Sequence, residues 1–319
     1  MPVASEKRLT EVMEHCLKHG EEGTCKHFNI GRSTLQRYKN DYKGEMEPDF
    51  HVRGVLKRIQ ENYTEKELEA IAKGAQVTNV VYRTHKVSFE GDHVCFAHFT
   101  DTHMGSIYFV EKYFLQALEE CEKEGVQFIC HTGDVFEGMS KREGHVYELT
   151  HIGGTAQKDY GAKLIEQWKK PWYMIDGNHD RWILKSAGIL AVKELCDQVE
   201  NAHFLGHDEG DLELKHDVTI KLWHGEDGSS YATSYRIQKI VESFSGGEKP
   251  NILLAGHTHK QIYMFERNIQ CVSGGALSKQ SKWMRSKRHA NHMGFHIIHM
   301  WLNKTGVTKF SPTWYPFYA

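Results

Sequence analysis

Short apolar runs that are each followed within a few residues by Asp, Asn or His constrain the fold of this chain more than any other feature. The first is Val94–Phe99, and similar runs lie at 126–130, 172–175, 219–223 and 251–255. Such runs, bounded by turn residues, predict buried strands. The polar residues that follow them are Asp101, His103, Asp134, Asn178, His224, His257 and His259. Because loops at the carboxyl ends of strands in α/β sheets meet at one crevice, these side chains are expected to converge.

The donors in this set are carboxylates, imidazoles and one amide. Such a mixture suits Mn, Fe or Zn better than Ca or Mg, which prefer ligands that are all oxygen. Seven candidate ligands are too many for one ion and about right for two ions that share a carboxylate. The sequence therefore predicts a centre for two divalent metal ions, with Mn as the first choice and Fe or Zn as alternatives.

Five motifs of this chain, taken together, resemble the signature of the calcineurin-like metallophosphoesterases. They appear in the order of that family over about residues 94–260, as Asp101-x-His103, Gly133-Asp134, Gly177-Asn178-His179-Asp180, His224 and Gly256-His257-x-His259. The resemblance implies an α/β fold, a four-layer α/β/β/α sandwich. It also implies a phosphoesterase that works by attack of a hydroxide bridging two metals. The segments 101–105 and 133–137 are in addition similar to the DNA-repair exonuclease branch.

The same resemblance implies a role for each motif residue. The first metal would be held by Asp101, His103 and His259. The second would be held by Asn178, His224 and His257. Asp134 would bridge the two metals, and His179 would stabilise the transition state and protonate the leaving oxygen. Asp180 would orient His179, while other histidines near the motifs lie outside the pattern and His289 is expected at the surface.

The N-terminal residues predict a small all-α module. A helix is expected over residues 6–19 and ends at Gly20, a short helix covers 24–28, and Asn29 makes a tight turn before a helix over 32–40. The pattern resembles a helix-turn-helix DNA-binding module. The outward side chains expected to contact DNA are Arg32, Ser33, Thr34, Gln36, Arg37 and Lys39. The alternative is a helical module that only packs or mediates protein contacts.

The predicted organisation has three parts: the helix-turn-helix-like module (1–45), a helical linker (46–78) and the metallophosphoesterase domain (79–319). In the third part, helices are expected at 110–123, 155–169 and around 189–196. Further strands are expected at 263–265, 269–272, 295–300 and 307–310. An early alternation of strands and helices followed by a strand-rich end predicts a layered α/β core.

Charge is distributed unevenly along the chain. After Glu266 there is no Asp or Glu, although this tail contains eight Lys and Arg residues. Its densest basic segment, which follows the last metal motif, offers Lys279, Lys282, Trp283, Arg285, Lys287 and Arg288 as nucleic-acid contacts. Cations around a Trp suit a phosphate backbone and a stacked base. A solvated loop is the alternative.

These features favour a metal-dependent phosphodiesterase that acts on DNA, a nuclease of a type that phages encode, with the N-terminal module delivering the DNA. A phosphatase acting on a small or protein phosphoester, with the module used for assembly, is the second hypothesis. A DNA-binding regulator with an accessory phosphoesterase domain is the third. Seven scattered cysteines without a Cys-x-x-Cys motif predict free thiols in the cytoplasm. No signal peptide or membrane segment is expected, and the oligomeric state stays open.

Overall fold

The computed structural model describes residues 6–41, 84–225, 232–245 and 247–318. The chain divides into two compact units, residues 1–76 and residues 77–319. The predicted linker and its helices lie outside the described residues. None of the described helices has the length and apolar character needed to cross a membrane.

The N-terminal unit contains two described helices, α1 (Glu6–Phe28) and α2 (Arg32–Asp41). Gly20 interrupts α1 with φ 74° and ψ 174°, at the position where the sequence predicted the first helix to end. Asn29 adopts a left-handed φ of 50° between the two helices, which Asn tolerates better than most residues. A small core forms where the two helices meet, from Leu9, Val12, Leu35 and Tyr38.

The larger unit contains twelve strands and six α-helices among its described residues. The strands are β1 (Thr84–Lys86), β2 (His93–Phe99), β3 (Phe128–Thr132), β4 (Trp172–Asp176), β5 (Ala202–His207), β6 (Glu209–Glu213), β7 (Thr219–Trp223), β8 (Ile252–Ala255), β9 (Gln261–Glu266), β10 (Ile269–Gly274), β11 (Gly294–Asn303) and β12 (Gly306–Pro316). The helices are α3 (Glu111–Lys123), α4 (Gly154–Ile165), α5 (Asp180–Ala187), α6 (Ala191–Gln198), α7 (Tyr235–Ser243) and α8 (Lys282–Ser286).

The strands form two six-stranded sheets. The first has the order β12-β11-β2-β3-β4-β5, in which β2 to β5 are parallel and β11 is antiparallel to both neighbours. The second has the order β1-β6-β7-β8-β10-β9, in which β7, β8 and β10 are parallel. Each sheet therefore has adjacent parallel strands whose carboxyl ends lie at one edge.

The alternation of side chains along β2 shows how the layers pack. Phe99 faces the core formed with helices α3 to α6, whereas Phe96 faces the core between the two sheets. On the outer side of the second sheet, Ile237 and Val241 of α7 pack against Leu253 of β8. The predicted four-layer α/β/β/α sandwich is confirmed.

Several elements differ from the sequence prediction. Helices α5, α7 and α8 and strands β5 and β6 were not predicted. Most of these elements are short, and β6 (Glu209–Glu213) contains two Glu and one Asp. Such segments lack the apolar periodicity that single-sequence reasoning needs, and only the tertiary context makes them regular.

Candidate metal centre

The seven predicted ligands meet at the carboxyl ends of the strands of both sheets. The first sheet contributes carboxylates and an amide together with one imidazole: Asp101 and His103 after β2, Asp134 after β3, and Asn178 after β4. The second sheet contributes only imidazoles: His224 after β7, and His257 and His259 after β8. The centre therefore depends on the packing of the two sheets against each other.

Five of these residues have a left-handed backbone, which is uncommon for residues other than glycine. The φ angles are 49° at Asp101, 50° at His103, 50° at Asp134, 68° at His257 and 54° at His259. A sparsely populated conformation costs roughly 1–3 kcal/mol and persists where the surrounding structure enforces it. Its concentration in the strand-end loops shows that the chain turns sharply there to aim these side chains inward.

The glycines of the motifs allow the ligands to approach the backbone closely. A Cβ atom at Gly177 would lie 2.3 Å from Oδ1 of Asp134, and one at Gly133 would lie 2.6 Å from Nδ1 of His224. Backbone nitrogens lie almost as close to the same two positions, that of Asp134 at 2.5 Å and that of Gly177 at 2.9 Å. A side chain at either position would therefore displace a predicted metal ligand.

The ligand atoms form two overlapping groups. In the first group, Nε2 of His259 lies 3.1 Å from Oδ1 of Asp101 and 3.2 Å from Nε2 of His103. In the second group, Oδ1 of Asn178 lies 3.1 Å from Nε2 of His224 and 2.9 Å from Nδ1 of His257.

Asp134 joins the two groups. Its Oδ2 atom lies 3.9 Å from Nε2 of His103 and 3.3 Å from Nε2 of His224. It therefore occupies the place that the sequence predicted for a bridging carboxylate.

Each carboxylate has one oxygen fixed by the protein and one directed at the other ligands. Oδ2 of Asp101 accepts hydrogen bonds from Oγ1 of Thr100 (2.6 Å) and the backbone N–H of His257 (3.0 Å). Oδ1 of Asp134 accepts a hydrogen bond of 2.8 Å from the backbone N–H of His179. The remaining oxygens, Oδ1 of Asp101 and Oδ2 of Asp134, are left to face the imidazoles.

The imidazoles are oriented by partners on their outer nitrogens. Nδ1 of His224 donates to the carbonyl of Thr132 at 2.6 Å. Nδ1 of His259 donates to Oδ1 of Asn291 at 2.8 Å, because the Asn291 amide nitrogen donates to the Ser278 carbonyl. In neutral rings this leaves the inner nitrogens with their lone pairs directed into the centre, as in metal-binding histidines.

This arrangement fits a bound cation. Nδ1 of His103 lies 3.0 Å from Oε2 of Glu137, which favours a proton on that nitrogen. The inner nitrogens of His103 and His259 then point lone pairs at each other across 3.2 Å, which is repulsive without a cation between them. Oδ1 of Asp101 is buried and accepts no hydrogen bond from the described residues. Buried polar atoms of this kind require a partner, and a divalent ion supplies one.

The charges of the centre also attract cations. Burial alone would raise the pKa of Asp134, but His224 and His179 hold it well below its usual range. Burial alone would lower the pKa of His224, but Asp134 raises it to about 10. Both shifts report the same field, in which buried carboxylates stabilise positive charge placed beside them.

The ring of His179 lies beside the ligands: its centroid is 4.6 Å from that of His103, and one of its nitrogens lies within 4.8 Å of ligand atoms of His103 and Asp134. That His179 does not bind metal stays a prediction. Its Nδ1 donates to the carbonyl of Glu137 at 3.0 Å, and its ring stacks on Trp182 with 3.8 Å between centroids. Burial lowers the pKa of His179 to about 4, so the ring is neutral near pH 7 and its Nε2 holds a lone pair. The predicted general-acid role therefore requires a bound anionic phosphoester, which raises that pKa.

The prediction that Asp180 orients His179 needs correction. The Asp180 carboxylate accepts hydrogen bonds from the backbone N–H groups of Phe136 and Gly177, both at 2.8 Å, and of Val135 at 3.2 Å. It therefore fastens the loop after β3 to the loop after β4. The ring of His179 is instead oriented by Glu137 and Trp182.

Glu137 and His145 are two residues that sequence reasoning did not identify. Oε1 of the buried Glu137 carboxylate accepts a hydrogen bond of 2.8 Å from Nε2 of His145, and Oε2 faces His103. Nδ1 of His145 accepts from the backbone N–H of Ser140 at 3.0 Å, so its Nε2 must carry the proton. The only available signal was the position of Glu137, three residues after Asp134; His145 belongs to no motif.

A cleft of about 700 Å³ lies over the ligands. One of its walls is formed by the basic segment that follows β10, and Lys279, Trp283 and Lys287 line it. The predicted contacts Lys282, Arg285 and Arg288 are exposed but do not line the cleft. His289, expected at the surface, is a half-buried part of this wall beside Trp283.

The other predicted nucleic-acid contacts lie on α2 of the N-terminal unit. Arg32, Ser33, Gln36 and Arg37 are exposed, and Thr34 is half-buried. Lys39 is also half-buried and forms an ion pair of 2.5 Å with Glu21, so it is less accessible than expected.

A set of carboxylates and imidazoles that converges at the strand ends of an α/β sandwich is the kind of site that metal-dependent hydrolases use. The family model of the calcineurin-like phosphoesterases matches residues 96–261, which is more than half of the chain. The protein belongs to this family and is a metal-dependent phosphoester hydrolase.

Solved structures show a more distant likeness. An archaeal phosphodiesterase is 15% identical, with coverage of 70% of this chain and 100% of that chain and a TM-score of 0.42. Yfce, a phosphoesterase from E. coli, is 16% identical, with coverage of 68% and 98% and a TM-score of 0.36. Vps29 from Entamoeba histolytica in complex with Zn is 12% identical, with coverage of 69% and 99% and a TM-score of 0.35. The family assignment rests on the matched segment and not on these structures.

Proposed function

We propose that this enzyme is a DNA phosphodiesterase that uses two divalent metal ions, with Mn²⁺ preferred. The position of Asp134 is the observation that supports this most strongly. Its Oδ2 atom faces both His103 and His224, so one carboxylate serves two groups of ligands. A shared carboxylate is the arrangement expected for paired ions that act on phosphoesters.

Each residue of the centre has a proposed role. Asp101, His103 and His259 would hold one ion, Asn178, His224 and His257 would hold the other, and Asp134 would serve both. When bound, the ions supply Lewis-acid activation of the phosphoryl group and of the attacking water. His179 contacts the phosphoester from the side of Trp182, where it stabilises developing charge and gives a proton to the leaving oxygen.

The wall of the cleft supports a nucleic-acid substrate. Lys279 and Lys287 line it and make no ion pair with any described residue. The absence of Asp and Glu after Glu266 leaves this wall without competing acidic side chains of its own segment. Unpaired cations that face a phosphoesterase centre are suited to the phosphates on either side of the scissile bond.

The N-terminal helices support delivery of DNA. Leu35 and Tyr38 of α2 are buried against α1, while Arg32, Gln36 and Arg37 are exposed. These side-chain types contact phosphates and base edges when a helix enters the major groove.

A substrate panel tests the proposal. The full chain with Mn²⁺ is given plasmid, linear duplex, single-stranded DNA, p-nitrophenyl phosphate and bis(p-nitrophenyl) phosphate. We expect cleavage of DNA and of the diester, both abolished by EDTA and by Asp134→Asn. Hydrolysis of the monoester alone would refute the nuclease function.

That last result would support the second candidate, a phosphatase acting on a small or protein phosphoester. The cleft volume of about 700 Å³ favours it, because sites of this size commonly bind small molecules.

A binding assay tests the N-terminal module within the full chain. We expect Arg32→Ala and Arg37→Ala each to weaken binding of a duplex in EDTA, measured by fluorescence anisotropy. Arg8→Ala removes an equal charge from an exposed position of α1 and is the matched control. Equal affinities of the wild type and the three variants for the duplex would refute the proposed role of the module.

A further inference from the structure

The cleft over the metal ligands is small for a nucleic-acid site. Its volume of about 700 Å³ lies within the range of roughly 300–1,000 Å³ that encloses one drug-sized molecule. One or two unpaired nucleotides match that size, whereas both strands of a duplex do not. A nucleotide that places its base as well as its phosphate in this cleft must therefore be unpaired.

Trp283 offers a flat apolar surface in this cleft. Its side chain is 47% exposed although it lines the cleft wall. The His289 ring supports the indole, with centroids 5.4 Å apart and a tilt of 41°. An exposed tryptophan held in a concave site is a platform on which any of the nucleobases can stack.

Hydrogen bonds hold the position of Trp283 relative to the metal ligands. Tyr108 accepts hydrogen bonds at its carbonyl from the N–H of Lys279 (2.9 Å) and at its hydroxyl from the N–H of Lys282 (3.1 Å). Oγ of Ser278 donates to the carbonyl of Asp101 at 3.2 Å.

Asn291 adds a second link between this wall and the ligands. It connects the Ser278 carbonyl to the His259 ring, with distances of 2.9 and 2.8 Å. The platform is therefore fixed with respect to both Asp101 and His259.

Cations lie on the same wall as the platform. Lys279 precedes Trp283 by four residues and Lys287 follows it by four, and both line the cleft. Stacking on an aromatic ring combined with lysines along the phosphate backbone is the usual composition of a site for single-stranded DNA.

We propose that the cleft binds a single DNA strand, with an unpaired base stacked on Trp283 and the adjacent phosphate at the metal ligands. Lys279 and Lys287 contact the neighbouring phosphates. This inference rests on the proposed DNA phosphodiesterase function and adds that unpaired strands, overhangs and gaps are its substrates rather than intact duplex.

The experiment combines a protein change with a substrate change. Two fluorescent single-stranded oligonucleotides are compared. One is complete, and in the other the central nucleotides are abasic. Binding is measured by anisotropy in EDTA, and cleavage is measured in Mn²⁺ together with a blunt duplex of the same sequence. The variants are Trp283→Ala, Trp283→Phe and the matched control Phe265→Ala, which removes a 58% exposed aromatic ring outside the cleft.

We expect Trp283→Ala to weaken binding of the complete strand about 5- to 150-fold, which is the usual worth of one stacked base. The loss on the abasic strand should be much smaller, because no base is left to stack. Trp283→Phe should restore most of the affinity, Phe265→Ala should behave as wild type, and the wild-type enzyme should cleave the single strand faster than the duplex.

Equal losses on complete and abasic strands would overturn the stacking inference, since they would show that Trp283 only supports the wall. Faster cleavage of the blunt duplex than of the single strand would overturn the inferred substrate class and leave the nuclease function intact. Wild-type protein that hydrolyses p-nitrophenyl phosphate but neither binds nor cleaves DNA would refute the proposed function itself.

Discussion

Most ligands on the floor of the cleft are buried and all are packed against other ligands or hydrogen-bonded, whereas the cations on its wall are exposed. Both Asp101 and Asp134 use one oxygen to accept backbone N–H groups and direct the other at the imidazoles. Lys279 and Lys287 end in solvent at the rim of the cleft. The geometry of the floor is thus set by the fold, while the wall acts through side chains that the fold does not hold.

This difference separates chemistry from substrate choice. A change in the floor alters atoms that several loops hold together, so its effects are large and independent of the substrate. A change in the wall removes one contact to the substrate and leaves the centre intact, so its effects are smaller and depend on which substrate is offered. Substitutions in the two regions can test this separation.

The largest effect is expected at Asp134, which faces both groups of ligands. Asp134→Asn weakens metal binding and should lower kcat/KM about a thousandfold or more on every substrate, because the ions supply several kcal/mol of transition-state stabilisation. Metal content by mass spectrometry and rates on bis(p-nitrophenyl) phosphate measure both consequences. Asp159→Asn, an exposed change on α4, is the control. Full metal content and activity in Asp134→Asn would show that this residue is no ligand.

His179 tests whether a floor residue acts without binding metal. Its Nδ1 donates to the Glu137 carbonyl and its ring lies against Trp182, while its contact with Asp134 is made by the backbone N–H, so His179→Ala should retain the metal content of the wild type. Turnover at saturating metal should fall about 10²- to 10⁴-fold, the usual contribution of general acid–base catalysis. Loss of metal from this variant would contradict the assigned role.

The contrast between floor and wall also explains what the sequence could predict. The motif residues lie directly after apolar strands, so their placement at the carboxyl ends of strands followed from local pattern, whereas the pairing of two separate sheets at the site did not. The hydrogen bonds by which Tyr108 and Asn291 fix the wall that contains Trp283 could not be predicted, because these two residues come from distant positions and belong to no pattern. Exposed side chains such as Lys282 and Lys287 look alike in the sequence, and only the folded chain places one of them on the cleft.

The misassigned role of Asp180 has a similar cause. Its place beside His179 in the sequence suggested a contact between their side chains. Asp180 begins helix α5, however, and its carboxylate turns back to accept the N–H groups of the preceding loop and of the loop after β3. Neighbours at a helix start point in different directions, so sequence adjacency does not indicate contact.

Substitution of Glu137 should have an effect smaller than that of a metal ligand and larger than that of a wall lysine, because Glu137 supports a ligand without facing the ions. Glu137→Gln weakens the interaction with Nδ1 of His103, so metal affinity should fall about 10- to 100-fold, as is usual when the partner of a metal-binding histidine is altered. Titration calorimetry of metal-free protein with Mn²⁺ measures it. Glu143→Gln, an exposed change further along the same loop, is the matched control. An unchanged affinity for Mn²⁺ would mean that His103 is positioned by other contacts.

The smallest effects are expected on the wall. Lys279→Ala and Lys287→Ala should each raise KM for single-stranded DNA several-fold with little change in kcat, because each removes one phosphate contact. Each should also reduce the slope of log affinity against log salt by about 0.7, the value for one phosphate of a single strand. Lys304→Ala removes a charge from the same acid-free tail at the exposed β11–β12 turn and should leave both quantities unchanged. If all three lysines changed the salt slope equally, the attraction would come from the overall charge of the tail rather than from the cleft wall.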